Sequence, residues 1–73
     1  MAARFEATVL QQVESEIKAI KLEYRDLIRE EAIDDVADQS LRRLAGSRVP
    51  QYVPLFVGRF TRERLREMLE RGQ

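Results

Sequence analysis

Apolar residues recur along the first third of the chain at Leu10, Val13, Ile17, Ile20, Tyr24 and Leu27, a 3-4-3-4-3 spacing. That spacing marks one face of an α-helix. Phe5 and Val9 widen the stripe. At about 100° per residue these positions fill an arc of roughly 140°, which suits a bundle face better than a narrow coiled-coil seam. A first helix is therefore expected over about residues 4–24. From Ala32 onward the apolar face is carried by Ile33, Val36, Ala37, Ser40, Leu41 and Leu44. On one continuous helix its centre would be rotated by roughly 150° from the first stripe, so a single straight helix cannot turn both toward one core.

No glycine or proline precedes Gly46, so this change of phase is the only argument for a break. It places the break near Arg25–Arg29, with Asp26 as the N-cap. A second helix over about residues 27–45 follows. Gly46 at its C′ position is expected to close it, with Arg42 and Arg43 near the negative end of its dipole.

After the turn at Gly46–Val49, Pro50 suits the first position of a new helix, and Pro54 is tolerated only if it falls in the first turn. Val49, Tyr52, Val53, Phe56, Val57 and Phe60 share a face, the densest cluster of large apolar residues in the chain. Beyond Gly58 the apolar positions shift to Leu65, Met68 and Leu69. Either the helix kinks at Gly58 with Thr61 as a new N-cap, or one helix runs to about Glu70 and shows two faces. The expected fold is all-α: a small three-helix bundle in one domain over residues 1–73. Its third helix, about residues 50–70, is kinked or interrupted near Pro54–Gly58. Val13, Ile17, Ile20, Tyr24, Val36, Leu41, Leu44, Val53, Phe56 and Phe60 are expected inside, with Phe56 central.

Composition narrows the chemistry. With 73 residues, a domain buries only about 60% of the surface its unfolded chain exposes, so packing or self-association must supply stability. The chain has no cysteine and no histidine. That removes disulfides, the usual zinc sites, and nucleophile–imidazole catalysis. Glu30, Glu31, Asp34, Asp35 and Asp38 crowd the start of the second helix. Without histidine or a calcium-loop spacing they read as acids complementing a helix N-terminus rather than as a metal site or acid/base pair. No cofactor, no metal and no catalytic residue is expected. The N-terminus lacks the apolar core of a signal peptide and no run approaches a membrane span, so a cytoplasmic protein without membrane contact is the default expectation.

The charge is zero in sum but not along the chain. Residues 1–40 hold ten acids and five bases, and residues 41–73 hold three acids and eight arginines, net −5 against +5. Such asymmetry fits a homodimer whose halves attract. The expected contact residues are Leu65, Met68 and Leu69, left over by the phase change, with Arg62 and Arg66 around them. Leu22, which projects opposite the first stripe, is a further candidate. The alternative is a helix-turn-helix-like nucleic-acid binder using the arginine-rich last helix. Against it, Glu63, Glu67 and Glu70 interrupt the basic face and the isoelectric point is near 6.3.

The segment from Ile33 to Leu65 resembles the actinobacterial three-helix bundle dimerisation domain family. The resemblance rests on Gly46-Ser47-Arg48-Val49, on Tyr52-Val53-Pro54-Leu55-Phe56-Val57, and on Arg59-Phe60-Thr61-Arg62-Glu63-Arg64-Leu65. Members of that family stand alone or precede low-molecular-weight phosphatase and arsenate-reductase-type enzymes. The resemblance thus implies a non-catalytic dimerisation module, partnered by its own copy, by another protein domain or by a fused enzyme. The chain departs from the family where the second helix begins, with Ile28-Arg29-Glu30 in place of the usual prolines, and its first helix is longer. The phosphatase-type catalytic loop needs a cysteine, so no activity carries over.

Overall fold

Between Glu23 and Glu30 the chain reverses without help from glycine or proline. In the computed structural model, which describes residues 7–72, the Tyr24 carbonyl accepts hydrogen bonds from the amides of both Leu27 (2.9 Å) and Ile28 (3.1 Å). Asp26 sits between them in the left-handed region, φ 69°. That conformation costs an L-residue roughly 1 kcal/mol, and aspartate is among the side chains that visit it most readily. Asp26 therefore makes the reversal rather than capping the next helix. The N-cap is Arg29, in extended conformation and without a side-chain cap.

Three helices result: α1 (Ala7–Glu23), α2 (Glu30–Arg43) and α3 (Val53–Glu70), with a single 3-10 turn over Pro50–Tyr52 leading into α3. The expected start of the first helix near Arg4, and the place of Phe5 in its stripe, lie outside the described residues. No strand occurs among the described residues, and the chain is an all-α three-helix bundle measuring 35 × 20 × 19 Å. The break after α1 falls where the change of phase puts it, although α2 begins at Glu30 and ends at Arg43, inside the expected residues 27–45. Glu30 and Glu31 in its first turn and Arg42 and Arg43 in its last complement the helix dipole.

Gly46 is not the left-handed cap expected of it: the only glycine with positive φ among the described residues is Gly72, at 80°. The end of α2 is instead closed by tightened turns, in which the amides of Leu44, Ala45 and Ser47 donate to the carbonyls of Leu41, Arg42 and Leu44. Gly72 takes the C′ position after α3, where only glycine adopts φ > 0 without penalty.

The third helix is a 3-10 piece joined to an α piece, and the junction lies at Tyr52–Val53, just ahead of Pro54. Both prolines fall where a missing N–H is harmless, Pro50 opening the 3-10 turn and Pro54 in the first turn of α3. From Val53 the α-helix runs unbroken through Gly58 to Glu70, so Thr61 is not an N-cap.

The core has two clusters. Near the α2–α3 loop, Val9, Val13, Val53 and Val57 are buried, with Ile17, Leu41 and Leu44 packed against them. Near the α1–α2 turn, Ile20, Ile33, Val36 and Leu65 are buried, with Tyr24, Ile28 and Met68 around them. Between the two, the buried hydroxyls of Thr61 and Ser40 meet: Thr61 Oγ1 donates to Ser40 Oγ at 3.4 Å, and Ser40 Oγ donates to the Val36 carbonyl at 3.0 Å. That pair leaves no buried side-chain polar atom unpaired among the described residues.

Phe56 and Phe60, expected inside, are only half-buried. The reason is that α3 packs against α1 and α2 through Val53, Pro54, Val57, Gly58 and Thr61. These small side chains let the helix axes approach, which leaves the two phenyl rings at the edge of the contact. There they stack on each other, centroids 6.0 Å apart, and Arg43 lies 4.5 Å over the Phe60 ring.

Candidate interaction surface

The residues expected to form an interface scatter once the bundle is assembled. Leu65 is fully buried within the lower core cluster, the one near the α1–α2 turn. The apolar spacing sets it apart from the first face of α3 because Gly58 and Thr61, which continue that face, are not large apolar residues. With those two included, the buried face of α3 runs Val53, Val57, Thr61, Leu65 and on to Met68, in steps of four, four, four and three. Leu65 and Met68 thus continue that face and form no second stripe. Met68 packs against the lower cluster, and Leu69 is half-buried beside it in sequence.

Arg62, also expected at an interface, is consumed within the chain. Its Nε and Nη2 donate to the two carboxylate oxygens of Glu23, at 2.9 and 2.6 Å, and its Nη1 donates to Glu16 Oε1 at 2.6 Å. The guanidinium thus straps α3 to α1 across two turns of α1. Bidentate pairing of this kind is the geometry that arginine, and not lysine, supplies. The Arg62 hydrogen bonds hold the Glu23 carboxyl below the usual carboxylate range, outweighing the opposing effect of its slight burial. Glu23, and then Glu16, raise the guanidinium above its already high value. Lys21 bridges α1 to α2 in the same way, 2.9 Å from Asp34 and 3.9 Å from Glu30, and the Asp34 hydrogen bond raises its pKa.

Gly58 makes the Arg62 strap possible. A Cβ there would lie 2.6 Å from Glu16 Oε1 and 2.8 Å from its Cγ, so glycine lets the Glu16 side chain cross α3 on its way to Arg62. An ordinary Gly→Ala change inside a helix gains about 1 kcal/mol. Here Gly58→Ala should gain nothing by urea denaturation, because Glu16 is displaced. In a Glu16→Ala background the same change should recover the full gain. Equal effects in both backgrounds would show that Gly58 and Glu16 are not coupled.

What remains exposed lies elsewhere. Leu22 (70% exposed) stands on the outer side of α1, as the spacing predicts, and Leu27 (58%) sits in the α1–α2 turn instead of in the first stripe's core. At the other end, Val49, Tyr52 (52%) and Leu55 (63%) are exposed around the head of α3, beside the half-buried Phe56. Leu55 is a residue the periodicity gave no reason to single out; its signal was the apolar run Val53–Val57, too continuous for one helix face to bury. Arg48, Arg59 and Arg66 are exposed, Arg59 within 3.5 Å of Glu63. Of the resemblance-bearing segment, Val53, Pro54 and Leu65 are core, Arg62 is the strap, and Arg48, Val49, Tyr52 and Arg59 are surface.

The acids of α2 are likewise dispersed. Asp34 and Glu30 face Lys21, and Asp38 pairs with Arg42 at 2.7 Å. Among the described residues no three such side chains converge on a point that would hold a metal ion. No family model, curated protein or solved structure matches the chain at a significant level.

Proposed function

We propose that the chain is a non-catalytic protein-interaction module whose partner is a second copy of itself. The observation that carries this reading is the set of large apolar side chains left in water at the head of α3. Val49, Tyr52 and Leu55 are exposed there, and Phe56 and Phe60 are covered only in part. Single exposed leucines are ordinary, whereas contiguous apolar patches on a small domain mark contact surfaces. The resemblance of the Ile33–Leu65 segment to a dimerisation family agrees with it. A cytoplasmic setting belongs to the same reading; among the described residues no helix is long and apolar enough to cross a membrane.

The nucleic-acid alternative draws no support from the side chains. Arg59, Arg62 and Arg64 on α3 all meet carboxylates within the chain, which leaves Arg66 as the arginine of that helix without an ion pair among the described residues; phosphate binding draws on several free cations. Light scattering across a concentration series should show molar mass rising toward twice the 8.6 kDa of the chain. A mass that stays at the single-chain value at every concentration and salt would remove the dimer.

A further inference from the structure

One face of the bundle, formed by α2 and α3, carries two unlike apolar features at its two ends. At the α2–α3 loop end is an aromatic ridge: Phe56 stacked on Phe60, with the exposed Tyr52 one turn before Phe56. Arg43 lies over Phe60 and Arg48 is in the adjoining loop. At the α1–α2 turn end is a groove of about 260 Å³ lined by Leu27, Ile28, Arg29, Ala32 and Met68. Its floor is aliphatic and carries a thioether, and its rim carries a guanidinium. Sulfur and guanidinium groups both favour aromatic rings, so the groove is chemically suited to a ridge like the one at the opposite end.

The charges agree. On α2, Glu31 adjoins Ala32 and Asp35 lies one turn beyond Glu31 on the same side, and neither takes part in an ion pair among the described residues. Arg43 and Arg48, beside the ridge, take none either. Two copies meeting ridge to ridge would set these arginines against each other. Meeting antiparallel, each copy would set its arginines against the other's carboxylates, and every contact would be made twice, as a two-fold dimer requires.

We propose that the α2–α3 face is the self-pairing surface. A second copy lies antiparallel across it with its Phe56–Phe60 ridge over the Leu27–Met68 groove, and Arg48 stands opposite Asp35 of the other copy. This rests on the dimer reading above and adds where and how the copies meet.

The test uses the intact chain and two exposed positions, where substitution leaves the fold alone. Arg48→Glu and Asp35→Arg should each weaken the dimer at low salt by tenfold or more, because each homodimer then holds two like-charge contacts. An equimolar mixture should form a heterodimer of wild-type affinity, since both contacts become attractive again. Leu22→Glu, on the outer side of α1, should leave the dimer unchanged. Helical circular dichroism, recorded for each variant, confirms that the fold is intact. A wild type that never dimerises defeats the dimer reading itself. A wild type that dimerises while the mixture shows no rescue, or while Leu22→Glu abolishes pairing, leaves dimerisation standing and overturns this surface.

Discussion

Leu65→Ala should lower the unfolding free energy by about 2–5 kcal/mol, the usual range for truncating a fully buried leucine. Leu65 has no exposed surface, and its neighbours come from every helix: Ile20 from α1, and Ile33 and Val36 from α2. The cavity left by the lost side chain would therefore lie where side chains of all three helices meet. Collapse to fill it would require moving a whole helix. A chain this short has a total stability of about 4–11 kcal/mol, at roughly 0.05–0.15 kcal/mol per residue. Leu65→Ala removes a large share of that, and Leu65→Glu, which adds an unpaired carboxylate to the same space, should leave the chain unfolded. Leu22→Ala is the control: at 70% exposure on the outer side of α1 it should shift stability by less than about 0.5 kcal/mol. Urea denaturation followed by circular dichroism reads both. A loss below about 1 kcal/mol for Leu65→Ala would mean that the lower cluster does not depend on it.

The contrast between Leu65 and Leu22 shows what hydrophobic spacing can locate. It found α1, α2 and the break between them, because Val13, Ile20, Ile33 and Val36 are large, apolar and buried, and the phase of such residues is a direct record of which way a helix faces. It misplaced the inner face of α3, because two of that face's positions are Gly58 and Thr61. One has no side chain and the other has a hydroxyl satisfied only by a residue on another helix, Ser40. Size pointed to Phe56 and Phe60 instead. A close helix–helix contact selects small residues at its centre, and it is the close approach that puts the phenyl rings at the edge. The local conformations of Asp26 and Gly72 follow the same logic. After α1 and α3 a left-handed residue turns the chain away, whereas α2 ends without one, and which residue takes that conformation depends on where packing stops the helix.

The Arg62 strap was not legible at all, since its partners lie 39 and 46 residues away in sequence, and no local pattern links them. Arg62→Ala should cost about 1–2 kcal/mol. Hydrogen bonds to charged groups contribute about 1.5–3 kcal/mol when well shielded, and exposed pairs contribute about 1 kcal/mol or less. Arg62, with 30% of its side chain exposed against 33% for Glu16 and 46% for Glu23, falls between. Arg62→Lys should restore less than half, because an ammonium cannot grip both oxygens of Glu23 while reaching Glu16.

The pH dependence fixes the sign independently. The Glu23 carboxyl is depressed in the folded chain by its hydrogen bonds to Arg62. Its contribution is therefore present above the unfolded carboxylate value of about 4.3 and is lost as pH falls through the lower folded value. Arg62 is raised and stays charged throughout, so it adds no acid limb of its own. Wild type and Arg62→Ala should thus differ by a constant amount from about pH 6 upward, and the gap should shrink in acid as pH falls below the unfolded carboxylate value. Salt should narrow the gap without closing it, as expected for a partly shielded network. A gap that does not shrink at all as pH falls from about 7 through the carboxylate range would mean that Arg62 stabilises the bundle through the packing of its stem, and that the Glu23 carboxylate contributes nothing.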